Sequence, residues 1–152
     1  MTSLNQIAVS ATSTGLTIAT TAYTDGDILG AEMSWTMGTN TYGIILGATI
    51  VDAADVIGAV DLYLFDRSVT FGTDNVAPSI SDADALFALP KVPFPFPDDL
   101  GANRQASIDS IGLPVKANAS GTIYGWLVTR SGHTFFGSTG DLQVGLHFTL
   151  DV

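Results

Sequence analysis

The chain reads as an all-β protein: an antiparallel β-sandwich, jelly-roll-like, with one short helix. Three observations predict this. Several segments alternate apolar and polar residues with a period of two, the signature of a strand with one face on a core and the other in water. The acidic residues are almost all Asp, with Glu32 the one Glu, and Asp favours turns and caps over helix interiors. The 16 Gly and abundant Thr, with turn clusters at hairpin spacing, point the same way.

In chain order, residues 1–15 are polar and Ser/Thr-rich and read as a flexible N-terminal arm, with residues 16–152 forming a single β-sandwich domain. This N-terminus lacks the basic n-region of a secretory signal. Leu16-Thr17-Ile18 opens a weak strand ending near Tyr23. After the turn Thr24-Asp25-Gly26-Asp27, residues Ala31, Met33, Trp35 and Met37 alternate with Glu32, Ser34 and Thr36. The turn Gly38-Thr39-Asn40-Thr41 leads into an apolar run over residues 44–51, the pattern of a strand buried on both faces. In the next strand Val60, Leu62 and Leu64 point one way, Tyr63 and Phe65 the other.

Residues 66–105 form the one long excursion. Ser81 caps a helix over residues 82–89, Asp82 and Asp84 complement its dipole, and Pro90 stops it. The segment 90–97 must be extended, because its prolines lack donors and push their predecessors toward β or polyproline geometry. Thr122 to Thr129, rich in β-branched and aromatic residues, is a strand. So is the segment in which Leu142, Val144, Leu146, Phe148 and Leu150 alternate with Gln143, Gly145, His147 and Thr149.

Charge excludes some functions. The 15 acidic residues against 5 basic ones give a formal net charge of −10, and the bases Arg67, Lys91, Arg104, Lys116 and Arg130 are scattered singly. Nucleic acid requires a cationic footprint, so it is excluded as a partner. No apolar run approaches the roughly 20 residues that span a bilayer as a helix, so no membrane association is expected. There is no cysteine, hence no disulfide or thiolate metal site.

Catalytic constellations are weak. His133 reads as a turn residue and His147 as a solvated strand residue, and no Gly-x-Ser-x-Gly elbow exists. Asp25/Asp27, Asp82/Asp84 and Asp98/Asp99 are the paired carboxylates, the first two explained by a turn and a helix start. Neither Asp25-Gly26-Asp27 nor Asp74-Asn75 supplies the twelve-residue calcium loop. No phosphate-cradling loop is present, and Asn118-Ala119-Ser120 matches a glycosylation sequon. No catalytic residue, cofactor or metal is therefore assigned. Trp35 shares the apolar register of Met33 and Met37 and belongs in a core, whereas Trp126 is the candidate for an exposed ring. The mean hydropathy of +0.36, with 13% charged residues, exceeds what a small monomer needs and points to an oligomer or an assembly-bound protein. Pro93, Phe94, Pro95 and Phe96, on a stiff segment with little ordering entropy to lose, and Trp126 are the candidate interface residues.

One resemblance bears on function. The order residues 24–30 (TDGDILG), 61–66 (DLYLFD), 71–75 (FGTDN), 81–84 (SDAD), 123–128 (IYGWLV) and 138–142 (STGDL) resembles a group of small tailed-bacteriophage virion structural proteins. It spans most of the chain after residue 20, the middle block being its most specific part. The resemblance implies a head decoration (cement) protein on the capsid surface, a homotrimer bound to the major capsid protein, with no enzymatic activity. The competing readings are a carbohydrate- or receptor-binding β-sandwich module, which requires an exposed Trp, and a hydrolase using His133 or an Asp pair.

Overall fold

The computed structural model describes residues 7–12, 16, 18–39, 41–95, 97–132 and 140–150. Its elements are β1 (Ile7–Thr12), β2 (Ile28–Thr36), β3 (Tyr42–Asp52), β4 (Val60–Phe65), α1 (Asp82–Ala85), β5 (Val92–Phe94), β6 (Asp98–Asp99), β7 (Arg104–Lys116), β8 (Thr122–Thr129) and β9 (Leu142–Leu150). They form two antiparallel sheets, β1-β9-β3-β7-β6 and β2-β8-β4-β5. The pairs β1/β9, β2/β8, β3/β7 and β4/β5 are nested like one long folded hairpin and fall alternately into the two sheets. That wrapping is the double Greek key of a jelly roll, as the alternating strands predicted.

The core between the sheets takes the residues that alternation assigned to it. Met33, Trp35, Met37, Val60, Leu62, Leu64, Leu142, Val144, Leu146 and Phe148 are all buried there. Trp35 ties the two layers together, its Nε1–H donating to the Val144 carbonyl of the opposite sheet at 3.1 Å. Gly125 on β8 makes room for that indole, since a Cβ there lies 2.7 Å from Trp35 Cζ3.

Several expectations change. Ala31 is exposed, because a register shift between Leu29 and Met33, with Gly30 at φ 78°, moves it off the core face. Leu16, Ile18 and Tyr23 are buried without forming a strand. Tyr23 instead accepts a hydrogen bond from Ala19 N and donates one to Asp74, each at 2.7 Å. The helix ends at Ala85 rather than residue 89. Ser81 caps it through Asp84 N, but Asp66 N–Phe87 O and Leu89 N–Leu64 O bonds draw residues 87–89 alongside β4.

Residues 66–89 then lie across the outer face of the β2-β8-β4-β5 sheet and build a second core. Phe71 sits between Tyr63, Phe65 and Trp126, with ring centroids 5.3, 5.6 and 5.9 Å away. Ile28, Val69 and Val128 complete the cluster, with Ile80 and Phe87 packed against it. Polar bonds pin the segment: Glu32 accepts from Ser68 Oγ and Val69 N, and Asp74 accepts from Gly30 N.

Candidate assembly surface

The other sheet has no such cover. Among the described residues, no helix or strand crosses the outer face of β1-β9-β3-β7. The apolar run of residues 44–51 was expected to be buried on both sides, and here the structure corrects the sequence. Ile45, Ala48 and Ile50 face the core, whereas Tyr42, Leu46 and Val51 are 58%, 42% and 38% exposed on the outside. Of the six exposed large apolar side chains among the described residues, these three share one strand and its outer face.

The backbone explains why Leu46 stands out. β3 and β9 pair Ile45 with Phe148 and Gly47 with His147, leaving Leu46 unpaired. On the other side, Leu113 faces Ile45 and Asp109 faces Gly47, so three residues of β7 oppose Leu46. Within them Ser110 and Gly112 have φ of 59° and 60°. Gly47 is required at the crossing, because a Cβ there lies 2.9 Å from the Ile108 carbonyl oxygen. This bulge bends both strands and turns Leu46 outward in the middle of the sheet.

The face carries little charge. Asp109 is level with Gly47 and His147, and Lys116 is level with Tyr42, its Nζ 5.7 Å from that ring's centroid. The other four basic side chains are held by carboxylates elsewhere. Arg67 meets Asp66 at 3.1 Å and Arg104 meets Asp55 at 2.9 Å. Lys91 and Arg130 share Asp61 at 2.6 and 2.7 Å. No cationic track exists among the described residues for a polyanion to follow.

Asp61 gives a pH prediction. Burial, at 5% exposure, raises its carboxyl pKa, but the hydrogen bonds and charges of Lys91 and Arg130 outweigh that and hold it below the ordinary carboxylate range. A folded-state pKa below the unfolded one stabilises the fold above the unfolded value of about 3.9, and that contribution is lost as pH falls through the folded pKa. Thermal melts between pH 2 and pH 7 should therefore show the wild type losing stability on the acid side. Asp61→Asn should be less stable at neutral pH, with a flatter acid limb.

The residues chosen from sequence as contacts separate. Pro93 and Pro95 are exposed, whereas Phe94 is a core residue of β5 at 3% exposure. Alternation about Pro93 points Val92 and Phe94 inward, so the expectation for Phe94 is overturned; Phe96 lies outside the described residues. Trp126, at 8% exposure, lies beneath Phe71, and Trp35 is buried. Among the described residues no tryptophan offers a stacking platform for a sugar.

The carboxylate candidates also resolve into structural roles. Asp27 Oδ2 accepts from Thr24 N and Oγ1, closing the 24–27 turn. Asp82 and Asp84 occupy the first turn of α1. Asn118 Oδ1 accepts from Ser120 N and Thr122 N, locking its turn. Among the described residues no group of three or more His, Cys, Asp or Glu side chains is placed to hold a metal ion. His133 lies outside the described residues, and His147 lies on the outer side of β9.

No protein-family model matches the chain, and no curated protein does. Its fold is similar to several solved structures. One is that of tomato aspermy virus, with 8% identity and a TM-score of 0.45, covering 97% of this chain and 78% of that one. Another is the tobacco streak virus coat protein, with 10% identity and a TM-score of 0.36, covering 97% and 87%. A third is a tryptic core variant of Cry1Da from Bacillus thuringiensis, with 8% identity and a TM-score of 0.38, covering 90% of this chain and 22% of that one. At these identities and TM-scores the likenesses carry no functional argument.

Proposed function

We propose that the chain is a non-enzymatic virion structural protein: a decoration (cement) protein of a tailed-bacteriophage head that oligomerises on the capsid lattice. The observation that carries this reading is the contrast between the two sandwich faces. One is sealed by residues 66–89, and the other presents Tyr42, Leu46 and Val51 on an uncovered sheet. An acidic, stiff sandwich with one uncovered face that exposes three large apolar side chains suits adhesion to a shell, while its acids, most of them away from that face, keep crowded copies soluble. The motif order over residues 24–142 supports the phage assignment, with the major capsid protein as partner and the capsid surface as location. The homotrimer rests on that resemblance alone, and the pairing proposed below replaces it with a dimer. The sugar-binding alternative has no observation in its favour, since both tryptophans are buried.

Quantitative mass spectrometry of gradient-purified virions from the phage encoding this chain tests the reading. The expected result is a copy number comparable with that of the major capsid protein. Absence from virions, or the few copies of a tail or connector component, overturns it.

A further inference from the structure

Each sheet of an open sandwich has two edges, and an edge is a template for another strand unless something blocks it. Three of the four edges here each carry a proline, a charge, a bulge or a covering segment. The β5 edge carries Pro93, with Pro95 just beyond it, and neither has an N–H to donate. The two-residue β6, exposed Asp98 and Asp99, covers only the start of β7, and the rest of that edge is broken by the bulge at Ser110 and Gly112 and by Pro114. The β2 edge is covered by the excursion: Ile28 N donates to Val76 O and Asn75 N to Ile28 O, each at 2.9 Å, while Gly30 N donates to Asp74 at 2.6 Å. Against that, β1 is six residues long, IAVSAT, with neither a charge nor a proline. Among the described residues no strand lies beyond it.

We propose that β1 pairs edge to edge, antiparallel, with β1 of a second copy of this chain. Two arguments select a second copy. An antiparallel strand is its own complement across a two-fold axis, so an edge without charge, proline or bulge can close on its own copy. Charge selects the same partner, because every acidic side chain lies at residue 25 or beyond and the first 24 residues carry no charged side chain. Two chains of net charge −10 meet there with the least repulsion.

Antiparallel pairing within one sheet places the two-fold axis perpendicular to that sheet. The bare faces of both copies then lie on the same side and join into one continuous surface. The use of that joined surface for docking rests on the decoration reading; the pairing itself does not.

Size-exclusion chromatography with light scattering on the full chain, with Ala8→Lys/Ser10→Lys as comparison, tests the pairing. The expected result is a wild-type dimer and a monomeric double variant with an unchanged melting temperature. A single-cysteine scan of residues 7–12, clean because the chain has no cysteine, covers the case in which the lysine variant fails to fold. Disulfide formation should peak at one position, on the axis, and fall away on both sides. A monomeric or trimeric wild type, a dimer that survives the lysines, or crosslinking without a peak overturns the proposal. A monomer that is abundant in virions removes the pairing and keeps the decoration reading, whereas a β1-paired dimer absent from virions does the reverse.

Discussion

Asp52→Ala is expected to destabilise the fold by about 3–5 kcal/mol, from three orphaned backbone donors at roughly 1–3 kcal/mol each with partial relief by water. Asp52 is fully buried at the end of β3. One side-chain oxygen accepts from Ala54 N at 2.8 Å, and the other from Val56 N at 2.7 Å and Ile57 N at 2.6 Å. These bonds shape the link from β3 in one sheet to β4 in the other, so their loss loosens the crossover itself. Asp52→Asn keeps the volume but turns one acceptor into a donor, and should cost less than alanine. Urea titration of the three proteins gives the order wild type, asparagine, alanine if the side chain acts as this acceptor. Equal stability of the alanine variant and the wild type would remove the role.

Trp35→Ala should also cost about 3–5 kcal/mol, the range for deleting a large buried aromatic side chain. Trp35→Phe keeps most of the apolar volume and loses the bond to Val144 O, a loss of about 1 kcal/mol plus the cost of imperfect packing. Gly125→Ala drives a methyl into the indole and should cost about 1–3 kcal/mol by overpacking. Because the two sites touch, their effects should not add. Gly125→Ala should cost markedly less in the Trp35→Phe background than in the wild type. Additivity within about 0.5 kcal/mol would show that the indole does not require the glycine.

How much of this was legible in the sequence depends on where the period-two pattern stays intact. β4, β8 and β9 keep one parity from end to end, and their inward residues follow directly. β7 lies almost wholly between the excursion, 66–105, and the turn at Asn118, and no strand is assigned there because its parity breaks. Ala106 and Ile108 face inward before the bulge, and Leu113 and Val115 after it. β1 was read as an arm, since IAVSAT has no charged partner face to mark a strand; its pairing with β9 is a long-range fact.

The uncovered apolar side chains are legible in composition but not in position. A mean hydropathy of +0.36 implies exposed apolar area, and the stiff proline segment is the place the sequence suggests for it. In the fold that segment blocks an edge and sends Phe94 inward. The excess lies instead on β3, whose unbroken apolar run looked doubly buried because sequence cannot show that residues 66–89 seal one sheet and leave the other bare. Asp52 gave no signal at all, since only the turn that follows it creates its three donors.

The claim that the bare face of β1-β9-β3-β7 is the assembly surface is tested most directly by cosedimentation. Wild-type protein and Leu46→Asp are added to heads purified from a phage deleted for this gene, and bound protein is quantified. Leu46 is exposed, so its replacement should leave the melting temperature nearly unchanged, while a charge in the middle of the patch should lower head occupancy at least tenfold. Full occupancy by a folded Leu46→Asp variant would contradict the claim.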